Sequence, residues 1–173
     1  AYFDARQDLA LGARLPLETL DGIRRCYHKD APRAQVLELT QPNLTQGQRL
    51  AVQRQADKAG VEVEVDLRKF DAVKLYLYAY ERGLTDEVAD ALQVQARKAA
   101  AGLVFACERA TIITDLSQSA FGAKTQPLRP AAATLALKDA LLAAIPAAQV
   151  RYAHAPEVVD NVMKLVHPRG DTS

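Results

Sequence analysis

The stretch TIITDLSQSAFG, residues 111–122, runs from β-branched apolar residues into Asp115, spaces the hydroxyls of Ser117 and Ser119 behind it, and closes on Gly122. Such a pattern predicts a buried strand that stops at an acid and passes into a tight polar turn. Upstream, LVFACERATIITD (103–115) carries the same apolar and β-branched character, so one strand is expected from about residue 104, with a kink near Glu108. Downstream, RPAAATLALKDALLAAIP (129–146) predicts a helix from about Pro130 to Ala144 that stops near Pro146, and AQVRYAHA (148–155) predicts a second strand. Strand, helix and strand in that order make a parallel pair, which places an α/β domain after residue 103.

The chain before that point reads as helical. In LPLETLDGIRRCYH, Pro16 stands at a helix-initiating position and Leu17, Leu20, Ile23 and Tyr27 follow at intervals of three or four. Pro32 and Pro42 leave room for only a short helix between them. From Gln46 to Lys58 a polar helix is expected, opened at Thr45 and ended by Gly60. VEVEVDL (61–67) alternates as a strand does, but an extended connector between helices gives the same pattern and is preferred. The next helix is expected to bury Phe70, Val73, Leu77 and Tyr80 and to stop at Gly83. A further helix, capped by Thr85, is expected to bury Val88, Ala91, Leu92 and Ala99. Helix pairs of this kind suit a helical-repeat array, although no internal repeat is clear.

Composition excludes more than it selects. About half of the 173 residues are apolar, enough for a folded core. The 22 basic and 21 acidic residues leave a formal charge of +1, so a nucleic-acid site has to be a local patch. Cys26 and Cys107 form neither a CxxC pair nor a zinc framework, as expected of a reduced, cytoplasmic protein. No apolar run approaches the ~20 residues of a membrane span, so no membrane partner is expected. The lack of an opening methionine and the halt at PRGDTS are expected of a fragment, one completed by a companion chain.

At the carboxyl edge of a parallel pair, where α/β folds bind ligands, Asp115, Ser117 and Ser119 offer hard oxygen atoms suited to Mg2+ or Mn2+. One carboxylate and two hydroxyls do not fill an octahedral shell, and Thr172, after Gly170 near the end of the chain, is a fourth candidate. This set, Asp115-x-Ser117-x-Ser119 at a strand end with a following helix and a later Gly-x-Thr, resembles the metal-ion-dependent adhesion site of the von Willebrand factor A domain. The resemblance covers roughly residues 105–173, the first part of that domain. It implies a Rossmann-like parallel sheet and a divalent cation held by Asp115, Ser117, Ser119 and Thr172. It further implies that the open coordination position of the cation takes a carboxylate from a partner protein. The family's third loop, which adds an aspartate, has no counterpart here. Gln118 stands where the family commonly has glycine, Ala120-Phe121 follow the second serine, and GAKTQPLRP lengthens the loop before the helix.

The helical part, with YERGLTDEVADALQVQARKAA directly before such a domain, more loosely resembles the end of the TROVE module of Ro-type RNA-binding proteins. That resemblance implies small noncoding RNA as a partner. The expected organisation is therefore an α-helical, TROVE-like segment over 1–103 and the N-terminal part of a von Willebrand A-like α/β domain over 104–173. The expected function is an RNA-associated scaffold with a metal-dependent protein-binding site. The alternative is a protein-binding or structural module without RNA and with a degenerate metal site.

Other residues carry weaker signals. Tyr76, Tyr78 and Tyr80, beside Arg68, Lys69, Lys74 and Arg82, have the chemistry to stack bases and touch phosphates, but Tyr80 and one neighbour are expected in the core. Arg24, Arg25, Lys29 and Arg33 form a second basic cluster, expected as a solvated helix face. Ser117 and Ser119 lack the GxSxG setting of a nucleophile, and His28, His154 and His167 are scattered, so no catalytic residue is expected.

Overall fold

The computed structural model describes residues 1–117, 120, 122 and 124–153, and the backbone of 155–159. Seven helices and a three-stranded sheet make up these residues, in two compact units, Ala1–Asp66 and Leu67–Ser173.

In the first unit α1 (Tyr2–Ala5) is followed by a 3-10 turn, α2 (Leu17–Tyr27), α3 (Arg33–Thr40) and α4 (Gln46–Ala59). Leu17, Leu20 and Ile23 of α2 are buried as their spacing predicts. Tyr27, assigned to the same stripe, is instead 48% exposed at the end of the helix, with the Arg6 guanidinium over its ring at 4.3 Å. Helix α4 opens with a reciprocal cap between Thr45 and Gln48 and closes at Gly60, whose φ of +70° is the left-handed conformation that glycine adopts without strain. After it, residues 61–66 run as a connector with no strand partner among the described residues, and their alternation buries Val61, Val63 and Val65.

The second unit starts with a 3-10 turn (Leu67–Lys69) and continues through α5 (Ala72–Arg82), α6 (Asp86–Ala100), β1 (Arg109–Thr114), α7 (Arg129–Ala144), β2 (Ala147–Tyr152) and β3 (Ala155–Val159). Strands β1 and β2 are parallel, Arg109 opposite Ala147 and Thr114 opposite Tyr152, with α7 as the crossover. The predicted strand–helix–strand unit is therefore present. Strand β3 then pairs antiparallel with β2 and gives the order β1-β2-β3, an addition the sequence pattern did not announce. Strand β1 is shorter than expected. Residues 103–107 are irregular and exposed, with Val104 96% exposed, because β2 begins pairing only opposite Arg109.

Helices α5 and α6 pack on each other and on α7, and α7 packs on β1 and β2. Packing thus divides the chain at 66–67, whereas composition changes near residue 103: the two helices before the strand share a core with it. The expected faces of both helices shift accordingly. On α5 the fully buried residues are Leu75, Tyr76 and Ala79, while Val73, Leu77 and Tyr80 are half-buried. On α6, Val88, Ala91 and Leu92 are buried as predicted, but Ala96 takes the place given to Ala99. The sheet buries Thr114, Ala148, Val150 and Tyr152 on its helix side. Its other side exposes Arg109, Thr111, Ile113, Gln149 and Arg151.

A polar knot lies inside this core. Asp139 of α7 is 5% exposed, its Oδ1 lies 2.7 Å from Lys138 Nζ, and its Oδ2 accepts the phenol proton of Tyr76. Lys138 is 1% exposed, and its ammonium meets Asp139 as a close charge without the alignment of a hydrogen bond. Burial first, and then the Asp139 charge that the phenol serves, push Tyr76 far above the ordinary tyrosine range, so it remains a donor at any ordinary pH. Tyr76→Phe keeps the ring and removes the donor. It should destabilise the protein by about 1–3 kcal/mol, read as a lower urea midpoint with an unchanged slope. An unmoved midpoint would show that the phenol hydroxyl contributes nothing.

Candidate metal centre at the end of β1

Asp115 follows the last residue of β1 directly, at the carboxyl edge of the parallel pair. The ladder continues across that edge, with the Ala153 amide donating to the Thr114 carbonyl at 3.0 Å, so the point at which Asp115 leaves the sheet is fixed. Leu116 is buried and anchors the turn, while Asp115 is exposed. The carboxylate folds back on its own chain: Asp115 Oδ1 accepts the Ser117 amide proton at 2.8 Å, an Asx turn. The Ser117 carbonyl in turn accepts the Ala120 amide at 2.9 Å. Asp115 and Ser117 thus share one turn, joined through the Ser117 backbone amide. Ser119 and Thr172, the other two predicted ligands, lie outside the described residues, as do Gln118 and Phe121.

What this arrangement offers is an exposed carboxylate in a turn at a sheet edge, chemically suited to a hard cation. Among the described residues no three His, Cys, Asp or Glu side chains gather as a metal cluster. The connection into α7 is itself constrained. Gly122 takes φ +72°, where an added Cβ would meet Pro130 Cδ at 2.8 Å, and Leu128 enters the helix with φ +62°. A surface cavity of about 410 Å3 lies between α5 and this connection, lined by Tyr80, Glu81, Gln126 and Arg129 among others. It includes neither Asp115 nor Ser117.

Of the tyrosines with base-stacking chemistry, Tyr76 is committed to Asp139 inside the core. Tyr80 is half-buried, and burial pushes its hydroxyl up to about 12. Tyr78 is partly accessible, with the Arg82 guanidinium 5.9 Å from its ring centre. His28 is structural, its Nε2 lying 2.8 Å from the Ala5 carbonyl oxygen; His154 and His167 lie outside the described residues.

The basic cluster of the first unit is more organised than a solvated face. Asp21 of α2 is 5% exposed and receives Arg24 Nε on Oδ1 at 2.9 Å and Arg25 Nη2 on Oδ2 at 2.7 Å. Arg33, the first residue of α3, places Nη2 4.0 Å from the same Oδ2. Sequence reading found the basic residues and missed the buried acid that gathers them; an Asp three and four residues before two arginines was the available signal.

Comparisons with known protein families, with curated proteins and with solved structures return no match for this chain. No described helix is long and apolar enough to cross a membrane.

Burial alone would raise the Asp21 carboxyl, but the hydrogen bonds from Arg24 and Arg25 and the charges of Arg24 and Arg33 outweigh it and hold the group below the ordinary aspartate range. A carboxyl lowered by folding stabilises fully above its unfolded value, and the contribution is lost as pH falls through the lower folded value. Asp21→Asn should therefore flatten the acid side of the pH–stability curve, measured as urea midpoints from neutral pH downward. An acid limb identical to that of the unaltered protein would show that Asp21 does not shape it.

Proposed function

We propose that the protein is a binding scaffold whose carboxyl-edge turn, Asp115 and Ser117 with Ser119 and Thr172, holds a divalent cation of the Mg2+ or Mn2+ type and presents it to a carboxylate of a partner protein. One observation carries this: Asp115 stands at the carboxyl end of β1 in a parallel β1–α7–β2 unit, with its carboxylate locked to the backbone of Ser117. The cation neutralises the acid and keeps an open coordination position, and its role is recognition without catalysis. The finer assignment, to the first part of a von Willebrand A-like domain, rests on the same turn and on the later Gly-x-Thr. A companion chain or segment then supplies the remaining oxygens.

The helical part is proposed to bind small noncoding RNA in the manner of a Ro-type protein. The second reading, a protein-binding module without RNA, is favoured by the loss of Tyr76 to the core, which removes one of three candidate stacking rings. Enzymatic activity is not part of either reading.

Calorimetry with Mg2+ or Mn2+ tests the first proposal: the unaltered chain should bind, and Asp115→Ala should abolish the heat while Ser117→Ala weakens it. Equal heats from the unaltered chain and Asp115→Ala would refute the metal turn. The RNA proposal has its own test in filter binding to a small structured RNA over a salt series. Affinity should fall steeply as salt rises, because phosphate contacts release counterions. Absence of binding at low salt selects the module without RNA.

A further inference from the structure

We propose that Arg25 and Arg33, gathered around Asp21 on the first unit, form a phosphate-binding site. The proposal lies outside the carboxyl-edge turn and does not depend on a cation there.

Charge comes first. Three guanidinium groups, Arg24, Arg25 and Arg33, lie within 4.0 Å of one carboxylate. A single acid orients them but leaves two positive charges over, and none of the three forms another ion pair among the described residues. A surplus of two matches a phosphate monoester, which carries close to two negative charges at neutral pH.

Geometry comes second. The three arginines differ in what they have left to give. Arg24 is spent: its side chain is 16% exposed, Nε serves Asp21 and Nη1 donates to the Ala31 carbonyl at 3.1 Å. Arg25 is 63% exposed and uses Nη2 on Asp21, which leaves the rest of its fork facing solvent. Arg33 is held at one end by Gln55, to which Nη2 donates at 2.5 Å, while its Nε is buried and has no hydrogen-bond acceptor. That atom is closed to a ligand, and the exposed remainder of the side chain, 40% accessible, is what an oxyanion can reach. Arg25 comes from α2 and Arg33 from α3, and both side chains reach the same Asp21 Oδ2. The several oxygens of a tetrahedral phosphate can meet both, whereas a planar carboxylate engages one fork at a time. Asp21 acts as a positioning residue, fixing the guanidinium planes before the ligand arrives.

Two sources fit this chemistry, a free phosphate and the phosphate of an RNA, and the test separates them. Arginine Nε–H signals are followed by nuclear magnetic resonance while inorganic phosphate, and separately a short single-stranded RNA carrying a 5′ phosphate, are titrated into the whole chain. A saturable shift of the Arg25 and Arg33 signals is expected, and binding should weaken about tenfold or more in Arg25→Gln and Arg33→Gln. Arg33→Lys, which keeps the charge and loses the fork, should weaken binding as well and guards against a variant that fails to fold. Response to inorganic phosphate identifies a small-ligand site; response to the RNA alone identifies the RNA phosphate as the ligand. Absence of a saturable shift with either probe, or binding that the folded variants leave unchanged, overturns the site.

Discussion

Helix α7 is buried along the side that meets α5, α6 and the sheet, and it carries two charged residues, Lys138 and Asp139, into that contact. Taking an ammonium and a carboxylate out of water costs several kcal/mol per ion, and their mutual attraction offsets this only with further hydrogen bonds. Tyr76 supplies one such bond to Asp139 from α5, so the polar content of α7 dictates which face α5 turns inward. The sheet depends on the same arrangement. Ala148, Val150 and Tyr152 are covered because α7 lies over them, and α7 stays over them because its charges are matched there. Replacing such a pair by apolar residues can leave a fold as stable. Losing one partner alone strands the other charge, which makes the three side chains a unit.

How much of this was legible in the sequence follows from where each determinant lies. The start of α4 at Thr45, its stop at Gly60 and the Thr85 cap of α6 are local events, and local residues announced them. The β1–α7–β2 order was legible for the same reason, each element having a strong pattern of its own. The buried face of α5 was not, because its determinant is Asp139, 63 positions away from Tyr76. Tyrosine at a core position scores as an aromatic that either face accepts, and only the partner decides. The start of β1 failed likewise: residues 103–108 have strand-like composition, but a strand needs a neighbour, and β2 is too short to provide one. Residue 103 marks a change of composition, whereas a packing unit is defined by what buries what, and α5 and α6 bury their faces on α7.

The candidate sites divide in the same way. Asp115 was legible as the first residue past a strand, since the change from β-branched apolar residues to an acid is the strand's own end signal. Its bond to the Ser117 amide is likewise a two-residue matter. The arginine constellation was half legible. Arg24 and Arg25 stand three and four residues after Asp21, a spacing that puts them on one helix face. Arg33 arrives from another helix after the turn at Pro32, and no periodicity predicts that convergence.

Asp21 and Asp115 show one chemical group in two electrostatic settings. Asp21 is buried and outnumbered by cations, so its own charge is consumed and the region around it remains positive. Asp115 is exposed, and its Oδ1 accepts the neutral Ser117 amide, which orients the carboxylate. The first kind fixes the guanidinium groups around it; the second is held by its own backbone at the end of a strand. With a net charge of only +1 over the chain, neither setting arises from the overall field, and each is set by what lies within a few ångströms of the carboxylate.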